Sequence, residues 1–130
     1  VILSARRRGL CVVACLLAGL VAACEDLPNV PPSAAFIFSP VSPIHAGSSG
    51  VTFNASGSSD SDGRIVSYLW DFGDGTPSQA DSSPVTTHVF PDRAETCVQV
   101  VYAVLLTVVD DRGDRGSASQ NVAVTENCPR

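Results

Sequence analysis

Lysine and methionine are missing altogether from this chain of 130 residues, tryptophan occurs once and histidine twice. Without lysine there is no amine for a Schiff base or a lysine general base. The two histidines offer little more: His45 lies in a Pro-Gly-Ser loop and His88 in a strand-like run, the settings of ordinary surface and strand residues. No Gly-x-Ser-x-Gly turn presents a serine nucleophile. With no methionine, the chain opens on Val1, as a fragment or a non-standard start codon read literally would. Long apolar runs are scarce too. The stretch "GLCVVACLLAGLVAA" at 9–23 has fifteen positions without charge, short of the roughly 20 that span a bilayer core as a helix. What is present is an apolar fraction of 45%, too high for a disordered chain, in a length that holds one ordinary domain.

The eight basic residues are all arginine, and Arg6, Arg7 and Arg8 form one run just before that apolar stretch. A basic start, a short apolar region and small residues before a cut make a signal peptide, expected as a helix within residues 1–23. The run "LVAAC" at 20–24 resembles the bacterial lipobox, in which the cysteine thiol is diacylated and becomes the new N-terminus. On this resemblance Cys24 is the lipid attachment site, and the protein is a membrane-anchored lipoprotein of the bacterial envelope, facing the periplasm or exterior. The alternatives are an ordinary secretory signal with an incidental Cys24, and a twin-arginine signal built on Arg6, Arg7 and Arg8. Residues 24–33 continue through "EDLPNVPPS", whose three prolines cannot join a helix or a central strand. They read as an extended tether that would hold the domain about 25–30 Å from the lipid.

From Cys24 onward five arginines stand against thirteen acidic residues, a net charge near −8. Neutralising a phosphate backbone needs a basic face, so nucleic acid is not a partner of this chain. Cys11 and Cys15 leave with the signal and Cys24 is acylated. Cys97 and Cys128 then remain as a pair in an oxidising compartment, where a disulfide is expected.

Beyond residue 33 the pattern is one of strands and turns. "AAFIF" (34–38) is a short apolar run stopped by Pro40 and Pro43. "VTFNA" (51–55) and "IVSYLWDF" (65–72) alternate, the second with Val66, Tyr68, Trp70 and Phe72 on one face. "VTTHVF" (85–90) is rich in β-branched residues, "YAVLLTVVD" (102–110) puts Tyr102, Val104, Leu106 and Val108 on one face, and "SASQNVAVT" (117–125) closes the series. Several short strands in about 95 residues, separated by turn clusters, make an all-β sandwich the expected class. Trp70 buries about 150–250 Å² at its centre, worth roughly 4–6 kcal/mol before entropy. Asp74 and Gly75 read as the Asp-Gly pair of a tight hairpin turn, with Gly73 beside them to take positive φ. Asp71 alternates away from Trp70 and caps backbone amides or faces solvent, since a carboxylate is costly in the core.

The ordered set "FNASGSSDSDGRIVSYLWDFGDGTP" (53–77), "HVF" (88–90) and "YAVLLTVVDDRG" (102–113) resembles the PKD domain, named from the polycystic kidney disease protein. The resemblance covers residues 34–125 and leaves 126–130 as a C-terminal tail. It implies an immunoglobulin-like β-sandwich of about seven strands. The family occurs as an extracellular module of bacterial surface proteins and secreted hydrolases, spacing domains or making protein or carbohydrate contacts, with no activity of its own. Some relatives, the PKD-like modules of secreted collagenases, bind calcium. In the acidic loop "SGSSDSDGR" (56–64), Asp60 and Asp62 are spaced i, i+2, Asn54 lies just upstream, and Asp71 and Asp74 are expected to approach from the next strand. Those four aspartates are the calcium candidates. The spacing is not that of an EF-hand, and Asx-turns to the local backbone are the plainer use of Asp60 and Asp62.

Two roles fit such a module: recognition of an envelope protein or glycan, or a structural part in an envelope assembly. The sequence departs from the family at "PDRAETCVQVV" (91–101), where relatives pass through a short Pro-Gly turn. A hairpin of 102–110 with 117–125 centred near Gly113 would put position 98 opposite Cys128, bringing Cys97 and Cys128 to one end. Closing that loop of about 31 residues is worth roughly 3–4 kcal/mol in the chain-entropy model; the alternatives are two free thiols or a link to a partner. Non-reducing mass spectrometry of the mature protein is expected to find Cys97 bonded to Cys128, and two free thiols would sink the pairing.

Overall fold

The computed structural model describes residues 27–41, 43–47, 50–93 and 98–127. The expected signal segment, Cys24, Cys97 and Cys128 lie outside the described residues. Seven strands form two antiparallel sheets and no helix occurs among the described residues. One sheet has the order β1 (Ile37–Ser39), β2 (Val51–Asn54), β5 (Val85–His88); the other has the order β4 (Gln79–Asp81), β3 (Ile65–Asp71), β6 (Gln99–Asp110), β7 (Arg115–Thr125). This is the expected immunoglobulin-like β-sandwich of seven strands.

Alternation explains which side chains the two sheets share. On β6, Tyr102, Val104, Leu106 and Val108 point inward and are buried, while Val101 and Leu105 of the alternate set are exposed. The opposing sheet supplies Val51 and Phe53 from β2. Phe53 rather than Trp70 sits at the middle of the aromatic cluster: its ring centroid lies 5.2 Å from Phe72, 5.6 Å from Trp70 and 6.3 Å from Phe36. Trp70 is fully buried, and its indole N–H finds no acceptor among the described residues. What the ring contributes is contact area.

Three local expectations change. Val66 does not share the inward face of Trp70 and Phe72, because a β-bulge intervenes: Ile65 pairs with Asp110 and Ser67 with Val109, leaving Val66 as the extra residue. Val66 is therefore exposed, and Ile65 packs on the core in its place. Strand β4 has no apolar alternation, since Gln79, Ala80 and Asp81 are all exposed. It exists because β3 offers it a free edge, with Leu69 opposite Ala80. Last, the β6–β7 hairpin turns about Arg112 and not Gly113, with Val109 paired to Arg115 and Gln99 to Thr125.

The first strand divides its chain between the sheets. Residues 37–39 pair with β2, and six positions later His45 bridges Thr125 of β7 in parallel, with Ala46 N donating to Thr125 O at 3.0 Å and Thr125 N to Ile44 O at 2.8 Å. Before β1 the chain already follows β7, since an added Cβ on Gly116 would overlap the Pro32 carbonyl oxygen and Gln120 Nε2 donates to Phe36 O. Residues 29–33 of the expected tether thus lie against the domain.

The central place of Phe53 gives a stability expectation. Phe53→Ala should cost about 3–5 kcal/mol, whereas Val101→Ser on the exposed face of β6 should stay within about 0.5 kcal/mol. Urea unfolding monitored by Trp70 fluorescence measures both, and equal losses would contradict the assigned core.

Candidate functional site

The segment after β3 is ordered by its own polar atoms. Asp71 Oδ1 accepts from Gly73 N at 3.0 Å, the cap expected of it. Gly73 has φ 68°, and a Cβ there would lie 2.5 Å from Ala103 O, so only glycine fits. Asp74 and Gly75 do not make a two-residue hairpin turn: seven residues, 72–78, join β3 to β4. Asp74 instead turns inward and is buried. Its Oδ1 accepts from Thr76 N at 3.0 Å and Thr76 Oγ1 at 2.6 Å, and its Oδ2 meets His88 Nε2 at 2.6 Å. The His88 ring stacks on Phe72 at 3.8 Å with planes 6° apart, and stands edge-on to Phe90. Arg93 Nη2 donates to the Asp74 carbonyl at 2.6 Å.

A histidine beside a carboxylate is half of an acid–base machine, but this one is sealed. Its Nε2 is occupied and a ring face is covered by Phe72, so the pair fastens the β3–β4 segment of one sheet to β5 of the other. Sequence reading placed His88 as an ordinary strand residue. The usable signal was parity: His88 and Phe90 share a face of the 85–90 run, and a polar group on a core face needs a partner.

The four calcium candidates do not converge. Asp60 and Asp62 precede the seven-residue β3, Asp71 is its last residue and Asp74 follows it, a separation of about 20 Å at the rise of a strand. Asp62 N donates to Asp60 Oδ1 at 3.3 Å, a long Asx contact. The Asp62 carboxylate pairs with Arg112 Nη1 at 2.7 Å and accepts from Val30 N at 3.3 Å. Asp60 Oδ2 is buried without a partner among the described residues. No group of three or more His, Cys, Asp or Glu among the described residues is arranged to hold a metal ion. Beside Asp62, at the β6–β7 turn, Asp110 is buried: its Oδ1 accepts from Arg112 N and Asp114 N, both at 2.9 Å, and its Oδ2 from Asn29 Nδ2 at 2.7 Å.

The open feature is a groove of about 440 Å³ between the two sheet edges β1 and β7, lined by Ile37, Phe38, Val41, Gln120 and Asn121. It exists because the chain that accompanies β7 leaves it after Phe36 to pair with β2, and rejoins it only at Ile44. Pro40 and Pro43, which have no N–H, keep the intervening residues out of a ladder. Ile37 and Val41 are 69% and 70% exposed. A smaller depression of about 360 Å³, lined by Ala35, Phe36, Ile37, Asn54, Ser56 and Gly57, lies on the other flank of β1. Neither lining contains an ionisable side chain, so the chemistry on offer is apolar contact and amide hydrogen bonding. No local pattern in the chain points to this groove, since its two walls are about 80 residues apart.

Comparison with known proteins bears on the family and the fold. A family model described as "PKD domain" matches residues 29–125. A collagenase of Bacillus cereus (strain Q1), ColQ1, is 42% identical over 77 residues, 59% of this chain but only 7% of the collagenase. A solved structure of carbohydrate-binding modules from the β-sandwich superfamily superposes with a TM-score of 0.66 at 36% identity, covering 76% of this chain and 36% of that one. The PKD1 domain of Vibrio anguillarum Epp does so with a TM-score of 0.57 at 28% identity, covering 77% of this chain and all of that domain.

The Asp74 pair also carries a pH expectation. Burial pushes the Asp74 carboxyl up, but the Thr76 hydroxyl, His88 and the Thr76 amide together hold it below the usual carboxylate value. A depressed folded-state pKa stabilises fully above the unfolded value, about 3.9, and that contribution is lost as pH falls through the folded value. Asp74→Ala, which leaves His88 and Thr76 without their acceptor, should cost about 2–3 kcal/mol at neutral pH and should flatten the acid limb of stability against pH. An unchanged acid limb in urea melts at pH 2–5 would contradict the role.

Proposed function

The chain belongs to the PKD domain family, and we propose that it is a non-catalytic binding module of the bacterial envelope, held by lipid on Cys24, that takes a protein partner into the groove beside β1. The observation that carries this reading is the lining of the groove: exposed Ile37 and Val41 facing the side-chain amides of Gln120 and Asn121. An apolar strip flanked by amide donors and acceptors suits an uncharged, extended stretch of polypeptide, whose own backbone groups alternate in the same way. Among the aromatic side chains Phe38 alone lines the groove, and it is half-buried, so little ring surface is offered as a platform on which sugars stack. The likeness to carbohydrate-binding modules favours a second reading, in which the same amides hold glycan hydroxyls.

Two further parts of the proposal concern residues outside those described. The lipobox-like "LVAAC" supports acylation at Cys24. The end of the β6–β7 ladder supports a Cys97–Cys128 disulfide by proximity: the ladder runs to Gln99 opposite Thr125 and Glu126 N donates to Val98 O at 3.2 Å, so the segments that carry the two cysteines leave the sheet side by side.

Ile37→Asp/Val41→Asp tests the groove, because both residues are exposed and their replacement leaves the core intact. Cross-linking of the tagged full chain in its native envelope, followed by mass spectrometry, should recover a fixed protein with wild type and lose it by about tenfold or more with the double variant. Undiminished recovery would remove the groove from the interface. Retention of the purified domain on cell-wall glycan with no protein recovered would favour the glycan reading.

A further inference from the structure

We infer that residues 29–36 form a strap that fixes how the domain stands on its membrane, with the β6–β7 turn directed toward the bilayer and the groove facing sideways. The inference rests on acylation of Cys24. Its basis is the set of bonds that hold the strap. Asn29 Nδ2 donates to Asp110 Oδ2 at 2.7 Å and to Asp114 Oδ2 at 2.8 Å, and Arg112 Nη1 donates to Asn29 Oδ1 at 3.0 Å. Val30 N reaches the Asp62 carboxylate, Ser33 and Ser59 exchange backbone bonds of 2.7 and 3.0 Å, and Ser58 Oγ accepts from Ala35 N and donates to Ala35 O. Pro32 is buried, against Gly116. The strap is thus bound along its length, from the β6–β7 turn toward the middle of β7.

Covalent geometry then limits the rest. From Cys24 to Asn29 there are five residue steps, which reach at most about 18 Å fully extended. Asn29 sits on Asp110, Arg112 and Asp114, so the β6–β7 turn can be no farther than that from the lipid-bearing residue. The opposite end of β6 is eleven residues away, about 36 Å farther along the strand. Gln120 and Asn121 pair with Val104 and Ala103, which puts the groove about 20 Å above the turn. A partner therefore reaches the groove along the membrane plane and not from above. The turn end carries Asp60, Asp62, Asp110, Asp111 and Asp114 against Arg64, Arg112 and Arg115, a net negative face that opposes adhesion to anionic headgroups within about 8–10 Å. The short leash and not surface attraction sets the distance.

Energy transfer to acceptor-labelled headgroups tests this in the lipidated full chain reconstituted in phosphatidylcholine vesicles. Donor dyes are placed on Ser61→Cys, at the turn end, or on Ser78→Cys, beside Asp71 at the end of β3 and about 17 Å farther from the turn; both positions are exposed. Transfer from position 61 should exceed that from position 78 by roughly twofold or more, given the leash limit. In Asn29→Ala/Val30→Pro, which removes the side-chain bonds of Asn29 and the N–H that meets Asp62, the two values should converge while the melting transition persists. Flotation with the vesicles but equal transfer in the wild type overturns the orientation alone. Failure to float, with no acyl chains on Cys24 by mass spectrometry, overturns the anchor and the orientation with it.

Discussion

The packing of Phe53 from one sheet against Trp70 and Phe72 from the other is the contact on which this sandwich depends. Each sheet has one apolar face, and neither face has anywhere else to go. The rings meet at 5.2–5.6 Å between centroids with tilted planes, the range in which aromatic pairs gain beyond their buried area. Phe72 then passes the constraint outward: it also stacks on His88 at 3.8 Å, and His88 is the partner of Asp74. A line of contacts therefore runs from the middle of the core to the end of the sandwich, first apolar and then charged. The "GDG" turn is fixed from inside, through a buried carboxylate, and not by turn geometry alone.

The edges follow from the same requirement. Closing two sheets of three and four strands leaves four edge strands, and an open edge is a liability. β4 and β5 are short, and β7, with eleven residues, is covered for part of its length by the chain that precedes and follows β1. That chain cannot cover β7 throughout and also pair with β2. The gap left between Phe36 and Ile44 is the groove. On the proposed reading, recognition uses the place where the fold runs out of backbone to protect itself, and the aliphatic and amide groups there are what an uncharged polypeptide edge would meet.

The two ends of the sandwich have different electrostatic characters. At the far end Asp74 is matched by His88 and its carbonyl by Arg93. At the turn end the carboxylates are held mostly by N–H donors: burial raises the Asp110 carboxyl, and the amide of Asn29 and the backbone N–H groups of Asp114, Arg112 and Gly113 hold it below its ordinary value. Asn29 belongs to the strap, so the N-terminal segment supplies one of the hydrogen bonds that favour the ionised carboxylate at the turn. Residues that read as linker by their prolines are in this way part of the domain's electrostatics.

By itself the sequence determined the class of fold, the inward faces of β2 and β6, the burial of Trp70 and Phe72, the cap made by Asp71 and the kinship with PKD domains. These depend on alternation along one strand and on turn residues, which are local and survive in a string of letters. Only the tertiary structure decided that Val66 would be a bulge, that Gln79–Asp81 would be a strand, that Asp74 would face inward to His88, that residues 29–33 would lie on the domain, and that β1 and β7 would part to leave a groove. Each of these joins segments distant in sequence, by edge pairing or by a single polar contact. Such contacts leave no period in the chain that makes them, because the partner, and not the neighbour, sets the geometry.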